Sequence, residues 1–163
     1  MKTRATIGAI VLFLSMASPS AAAARLAGRI INTGDGDTLR ANLNGKPTTI
    51  RLGCIDVPGK KQQYGATSAA RLAELLPRGT AIELRVMDLD RYGRTVGEIY
   101  VGGRSVNLQL VQEGAAVAYR EYLKKCDKPA FLQAEAAAKS SRLGVWSQTP
   151  ICLPKDFRKK KCQ

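Results

Sequence analysis

The chain has 163 residues and a formal net charge of +13, from 26 Lys and Arg against 13 Asp and Glu, and it contains no His. This length suits one domain with a single hydrophobic core, and the lack of His and of any CxxC spacing argues against a typical zinc site. The positive charge favours a polyanionic partner, because each phosphate that a protein neutralises releases condensed counterions. Charge alone leaves open a basic protein that has no such partner.

Residues 1–24 are predicted to form a secretory signal peptide. Lys2 and Arg4 give a basic start, residues 7–16 are apolar, and Ala21 to Ala24 supply small residues for cleavage. The alternative is an uncleaved membrane anchor, but the strongly apolar part is only about half of the ~20 residues that a spanning helix needs. Cleavage would leave 139 residues (163 − 24) with a net charge of +11 (13 − 2). The expected product is a secreted or periplasmic protein with no membrane segment.

Four cysteines in an exported chain predict two disulfides, for which three pairings are possible. Cys54 and Cys126 lie within the patterned part of the chain, whereas Cys152 and Cys162 lie in its last residues. This distribution favours one bridge in each region.

The first half of the mature chain is typical of a hairpin followed by a helix. Short strands are predicted at Arg29–Ile31 and Thr38–Leu43, and Asn44-Gly45 is a strong signal for a tight turn before a return strand at Thr48–Cys54. Residues Gln63–Leu76 have the spacing of an amphipathic helix.

Two further strands follow. Ala81–Met87 alternates, so that Ile82, Leu84 and Val86 are expected to share the buried face, and Thr95–Val101 forms the next strand. Five short strands with a helix between the third and fourth predict an α+β fold around a small antiparallel sheet. A Greek-key barrel is one way to close such a sheet.

Two helices are predicted after the last strand. Ser105 can cap a helix over Val106–Glu113, and Asp127 can cap a second helix that has Pro129 in its first turn and runs to about Arg142. The domain is expected to span residues 25–146, and residues 147–163 form a tail that contains five basic residues.

Three short clusters contain residues that could carry chemistry. Each has a simpler interpretation as a turn, a strand exit or a solvated hairpin loop. The clusters are Asp35–Thr38, Arg51–Pro58 and Asp90–Arg94.

The hairpin geometry makes two of these clusters more informative together. If Asn44–Lys46 form a three-residue loop, Leu39 lies opposite Arg51, and Asp37 and Arg51 then point to the same face. A two-residue loop would turn Arg51 to the other face. Asp56 is expected at the same open end of the hairpin. Two converging carboxylates favour a hard divalent ion, and an adjacent arginine can bind phosphate with two hydrogen bonds.

The chain resembles the staphylococcal-nuclease (thermonuclease) family in five motifs that occur in the family's order from about residue 29 to residue 146. These are Asp35-Gly-Asp-Thr-Leu39, Arg51-Leu with Ile55-Asp-Val-Pro58, Asp90-Arg-Tyr-Gly-Arg94, Val106-Asn-Leu-Gln-Leu-Val-Gln-Glu-Gly114 and Leu143-Gly-Val-Trp146. The resemblance implies an OB-fold, which is a five-stranded Greek-key barrel, with three helices. It also implies hydrolysis of DNA and RNA phosphodiesters with little sequence preference, usually with Ca²⁺; Mg²⁺ or another hard divalent ion is an alternative.

The resemblance also implies roles for individual residues. Asp37 and Asp56 would bind the metal through their side chains, and Val57 through its carbonyl. Arg51 and Arg94 would hold the scissile phosphate and stabilise its transition state.

Three further residues match positions where the family meets its substrate. Tyr92 and Tyr119 would contact nucleotide, and Arg91 would add a phosphate contact, although an exposed arginine is more often only solvated. In the family fold the segment after Tyr119 runs beside the third strand, which implies pairing of Cys54 with Cys126 and leaves Cys152 to pair with Cys162.

The departure from the family lies at Gly59, where the resemblance places a glutamate that acts as general base or orients the attacking water. Lys60, Lys61, Gln62 and Gln63 follow, with no acid. Loss of a general base costs roughly 10²- to 10⁴-fold in rate, which weakens catalysis without abolishing it. The leading hypothesis is therefore a monomeric nuclease, and its rival is a nucleic-acid-binding OB module that has lost catalysis. A basic structural protein explains none of the motifs.

Overall fold

The computed structural model describes residues 24–162 of the chain. The predicted signal peptide falls outside these residues, apart from its last position, and stays a prediction. None of the helices within residues 24–162 is long and apolar enough to cross a membrane. The strands are β1 Leu26–Thr33, β2 Thr38–Leu43, β3 Lys46–Leu52, β4 Ile55–Asp56, β5 Ala81–Leu89, β6 Thr95–Val101, β7 Arg104–Ser105 and β8 Val117–Ala118. The α-helices are α1 Gly65–Leu75, α2 Val106–Gln112, α3 Lys128–Ser140 and α4 Pro154–Arg158.

Five strands close into a barrel. The main sheet has the order β3-β2-β1-β5-β6-β7, and β3 also pairs with β6 in parallel, which joins the two ends. The barrel is filled by apolar side chains such as Leu39, Ile50, Leu84 and Ile99, each at most 1% exposed. This is an α+β fold of the OB type, as predicted.

The turn between β2 and β3 differs from the expected three-residue loop. Leu43 pairs with Lys46, so only Asn44 and Gly45 form the turn, and both have positive φ, as a tight hairpin turn requires. The predicted register of Leu39 opposite Arg51 is therefore wrong. The observed partner of Arg51 is Thr38.

Strand β5 follows the predicted alternation only in its first half. Ile82 and Leu84 are buried, but Val86 is 48% exposed. The pairing of β5 with β6 shifts between Val86 and Asp88, where an irregularity bends the strand away from the core.

The three predicted helices are present, with ends within two residues of those expected. Ser105 caps α2 by accepting a hydrogen bond from the backbone N–H of Leu108, and Asp127 caps α3 in the same way from Ala130. Beside α3, Val145 and Trp146 pack with Val117 in a second small apolar cluster.

The tail adds a feature that the sequence did not predict, the short helix α4. Two disulfides join Cys54 to Cys126 and Cys152 to Cys162, which are the pairs expected. The second closes a loop that contains α4. The Nε2 of the buried Gln62 donates a hydrogen bond of 2.8 Å to the carbonyl of Cys152 and so holds the tail against the loop that follows β4.

Candidate active site

A cleft of about 800 Å³ opens beside β3 and the loop between β5 and β6. It combines basic, acidic and aromatic side chains drawn from the barrel, from the segment after β8 and from the tail. The charged and aromatic residues that line it are Asp37, Arg51, Asp88, Asp90, Arg91, Tyr92, Arg94, Tyr119, Glu121, Tyr122, Lys124, Lys125 and Arg158.

Asp37, the first predicted metal ligand, lines the cleft from the turn just before β2. Its Oδ2 accepts a hydrogen bond of 2.5 Å from Arg51 Nη1, and its Oδ1 accepts one of 3.0 Å from the Thr38 hydroxyl. Asp37 and Arg51 are therefore together, although the register that predicted it was wrong. Thr38 lies directly opposite Arg51, and Asp37 reaches the same place because it lies in the turn, where strand alternation does not apply.

Asp37 lies in a buried and highly charged environment. Burial raises the pKa of Asp37; Arg51 opposes this rise, and the nearby Asp35 and Asp56 add to it. Charges of both signs therefore act on Asp37, and burial outweighs the opposing effect of Arg51 on its pKa.

Arg94 immediately precedes β6, at the same end of the barrel. Its Nε donates a hydrogen bond of 2.7 Å to Asp90 Oδ2, and its Nη1 reaches the Thr38 hydroxyl at 3.4 Å. Thr38 thus lies between Arg94 and the Asp37–Arg51 pair, so the structure brings these two arginines to one region. Since Asp90 engages mainly one edge of the Arg94 guanidinium, donors remain for a phosphate.

The second predicted metal ligand, Asp56, is not among the residues that line the cleft, and it has a partner that the sequence did not predict. Arg158 of the tail donates from Nη1 to Asp56 Oδ1 at 2.9 Å and from Nη2 to Oδ2 at 2.7 Å. Asp56 is 2% exposed. The sequence shows five basic residues in the tail, but nothing in their order indicates that one of them pairs with an aspartate 102 residues earlier in the chain.

Val57 and Gly59 follow Asp56 on the way out of the barrel. Val57 is buried, and Gly59 is exposed, with no atom within 4 Å of where a Cβ would lie. The buried Gln62 cannot take the place of the missing glutamate, because its side chain contacts the Gly59 N–H and the Cys152 carbonyl.

The three predicted substrate residues lie on two sides of the cleft. Arg91 donates a hydrogen bond of 2.7 Å to the hydroxyl of the exposed Tyr92. Tyr119 lies after β8, in edge-to-face contact with Tyr122 at 4.6 Å between ring centroids. Tyr122 is 61% exposed and was missed by the sequence reasoning. Exposed aromatic rings beside arginines are suited to stacking on bases.

The donors around Asp37 and Asp56 fit a hard divalent ion in their chemistry, because they are carboxylate oxygens. Asp35 adds a third, since its Oδ1 is buried without a hydrogen-bond partner among the described residues. Within residues 24–162, however, no group of three or more His, Cys, Asp or Glu is arranged to hold a metal. Arg51 and Arg158 bond to the predicted ligands Asp37 and Asp56 instead. Metal binding would therefore require at least Arg158 to move away from Asp56.

Comparison with known proteins places this cleft in context. Residues 49–148 match the model of a family described as staphylococcal nuclease homologue. The chain is 34% identical over 165 residues to the micrococcal nuclease of Shigella flexneri, which covers 96% of this chain and 91% of that protein. The chain belongs to the staphylococcal nuclease family.

Two further relatives carry related names. A Haemophilus influenzae protein named an uncharacterized endonuclease is 33% identical over 132 residues, covering 80% of this chain and 72% of its own. A protein of the same name in Escherichia coli O157:H7 is 36% identical over 135 residues, covering 82% of this chain and 86% of its own. The predicted family is therefore confirmed, and it is a family of phosphodiester hydrolases.

The segment that matches the family model does not contain the whole cleft. It includes Arg51, Asp56 and Arg94 but begins after Asp37 and ends before Arg158. The contact between Arg158 and Asp56 is therefore a feature of the structure that the family match does not describe.

Proposed function

We propose that the protein is an exported endonuclease that uses a hard divalent ion, Ca²⁺ first among the candidates, to hydrolyse DNA and RNA with little sequence preference. The observation that carries this proposal is the convergence of Asp37, Arg51 and Arg94 at one end of the barrel. Two disulfides and the predicted signal peptide support export, since disulfides persist in oxidising compartments. The monomer and the domain limits of residues 25–146 remain predictions.

In this proposal the two arginines bind the scissile phosphate. Arg51 and Arg94 present guanidinium donors whose planar geometry matches phosphate oxygens. Negative charge on those oxygens grows in the transition state, so fixed donors stabilise the transition state more than the ground state. Tyr92 and Tyr119 would hold the flanking nucleotides by stacking.

Asp37, Asp56 and the Val57 carbonyl would hold the ion, which when bound would supply Lewis-acid stabilisation of charge on the phosphate. Asp56 can take part only when Arg158 no longer occupies it. Gly59 supplies no carboxylate that could accept a proton from the attacking water, so that water must lose its proton without a dedicated base. We therefore expect a slower enzyme than a relative with a glutamate at that position.

The second candidate is a nucleic-acid-binding OB-fold protein without catalysis, which Gly59 favours. Digestion of plasmid DNA and of RNA by the purified chain with Ca²⁺, Mg²⁺ or EDTA separates the two. The proposal expects cleavage with a divalent ion that is lost in EDTA and in Arg51→Ala. Binding of both nucleic acids without cleavage under any ion would leave the binding protein as the function.

A further inference from the structure

The contact between the tail and the cleft is unusually complete for two residues so far apart in the chain. Both terminal nitrogens of Arg158 meet both carboxylate oxygens of Asp56, at 2.9 and 2.7 Å. This two-pronged arrangement is the strongest that arginine forms with a carboxylate. The Asp56 side chain is 3% exposed and that of Arg158 is 50% exposed, so the carboxylate is buried and the guanidinium is partly open to solvent.

The tail is held in place by contacts that do not involve Arg158. The Cys152–Cys162 disulfide closes the loop around α4, and the buried Gln62 binds the Cys152 carbonyl. Lys155 of α4 forms an ion pair with Glu121. The Arg158 side chain can therefore leave Asp56 while α4 stays beside the cleft.

A divalent cation at Asp56 would compete directly with Arg158. The carboxylate directs both oxygens to the guanidinium, and a positive guanidinium beside a divalent ion is repelled by it. Arg158 also lines the cleft with Arg51, Arg94 and Tyr119, so a guanidinium released from Asp56 stays where a phosphate would bind.

We propose that Arg158 is a further substrate-binding arginine that exchanges partners: it holds Asp56 until a divalent cation replaces it there, and it then binds the nucleic-acid phosphate. This inference rests on the proposed function and adds to it. Metal binding and substrate binding become coupled, because the cation frees the arginine that the substrate uses.

Two titrations test the exchange, both with the full mature chain at the same neutral pH. In calorimetric titration with Ca²⁺ alone, Arg158→Gln should bind Ca²⁺ about 10-fold more tightly than wild type, because no ion pair has to be broken first. The matched control is Lys159→Gln, which removes the same charge from an exposed neighbour and should change the affinity by less than about two-fold. Arg158→Lys keeps the charge without the two-pronged contact, and its Ca²⁺ affinity should lie between those of wild type and Arg158→Gln.

The second titration uses a phosphorothioate thymidine oligonucleotide, which keeps the backbone charge and resists cleavage, at saturating Ca²⁺. Arg158→Gln should bind it about 5- to 10-fold more weakly than Lys159→Gln does. Equal Ca²⁺ affinities in wild type and Arg158→Gln would overturn the exchange, and so would equal oligonucleotide affinities in the two Gln variants. A lack of Ca²⁺ binding in both wild type and Arg158→Gln would also overturn it. Thermal unfolding of each variant shows that the fold is intact.

These outcomes are separate from those of the proposed function, because neither titration measures cleavage. A wild-type chain that binds Ca²⁺ and DNA as described but cleaves neither DNA nor RNA would refute the nuclease and keep the exchange.

Discussion

The two predicted metal ligands, Asp37 and Asp56, each pair with an arginine, but the two pairs are built differently. Asp37 lies in the turn before β2 and Arg51 in the adjoining strand β3, 14 residues apart, with side chains 12% and 21% exposed. Asp56 and Arg158 are 102 residues apart, and Arg158 comes from a tail held by a disulfide and one buried glutamine. The first pair is part of the barrel, and the second is a contact between the barrel and a separate element.

This difference indicates which pair can change during function. Moving Arg51 would disturb a hairpin whose register is set by a two-residue turn. Moving Arg158 breaks its ion pair with Asp56 but leaves the backbone in place, since the side chain is half-exposed and α4 has other anchors. We therefore assign fixed phosphate binding to the barrel arginines Arg51 and Arg94, and an exchangeable contact to Arg158.

The largest expected effect comes from the barrel side. Arg94→Ala should lower kcat by about 10²- to 10³-fold, the usual loss for one donor that stabilises transition-state charge. DNA affinity should fall far less, because the interaction strengthens in the transition state. Steady-state cleavage and anisotropy with the same DNA measure both.

Arg91→Ala is the matched control for this prediction, because Arg91 lies in the same loop but is exposed and bonded to Tyr92. It should reduce kcat by less than about 10-fold. Equal losses in the two variants would show that the loop acts through its net charge and that Arg94 has no special position.

Gly59, in the loop that Gln62 connects to the tail, offers a smaller gain of function. Gly59→Glu should raise the cleavage rate by about 10-fold or more if proton removal from water limits turnover. The backbone of Gly59 does not have the positive φ that would make a side chain costly, and no atom lies within 4 Å of an added Cβ. The change should therefore be tolerated.

Gly59→Gln and Gly59→Ala are the controls, since they add a side chain without a carboxylate. Both should match wild type in rate. An equal increase with Gln would mean that the loop conformation limits the rate, and no change with Glu in an active enzyme would mean that no base is needed.

The local features of the fold were predictable because they depend on neighbouring residues. Asn44-Gly45 predicts its turn, and Ser105 and Asp127 predict their helix caps, through interactions over a few residues. The exact loop length was not predictable, because Lys46 can end the turn or begin the strand with similar local cost. The exposure of Val86 depends on a strand irregularity that its own pattern does not show.

The site was predictable where a motif lies in one piece. Asp37, Arg51 and Arg94 were identified from short runs, and the structure brings them to one region. Arg158 was missed because its significance depends entirely on a partner 102 residues away. Nothing in the charge or spacing of the tail distinguishes Arg158 from Lys159 or Lys160; only the docking of α4 does.

Removal of the tail disulfide is a third test of the difference between the two pairs, with a smaller expected effect. Replacing Cys152 and Cys162 together with Ser should free the tail, lower the local concentration of Arg158 at Asp56, and raise Ca²⁺ affinity by about three-fold. Adding Arg158→Gln to this variant should give the affinity of Arg158→Gln alone, because both changes remove one interaction. Fully additive gains would show that the disulfide affects the metal site by another route.

The smallest expected effect concerns the stability of the barrel-side pair and its dependence on pH. Burial raises the pKa of Asp37 from 3.8 in spite of Arg51, so the folded protein holds the neutral acid more tightly than the unfolded chain does. That contribution to stability is fully present below pH 3.8 and is lost as the pH rises through the raised pKa, so the ionised Asp37 costs stability at neutral pH.

Asp37→Asn should therefore be more stable than wild type by about 1 kcal/mol or less at neutral pH, and the difference should shrink below 3.8. Urea unfolding followed by the fluorescence of the single, buried Trp146 measures this. If Asp37→Asn is less stable than wild type at neutral pH, the ion pair with Arg51 outweighs the burial of Asp37, and the barrel-side pair is there for stability more than for binding a cation.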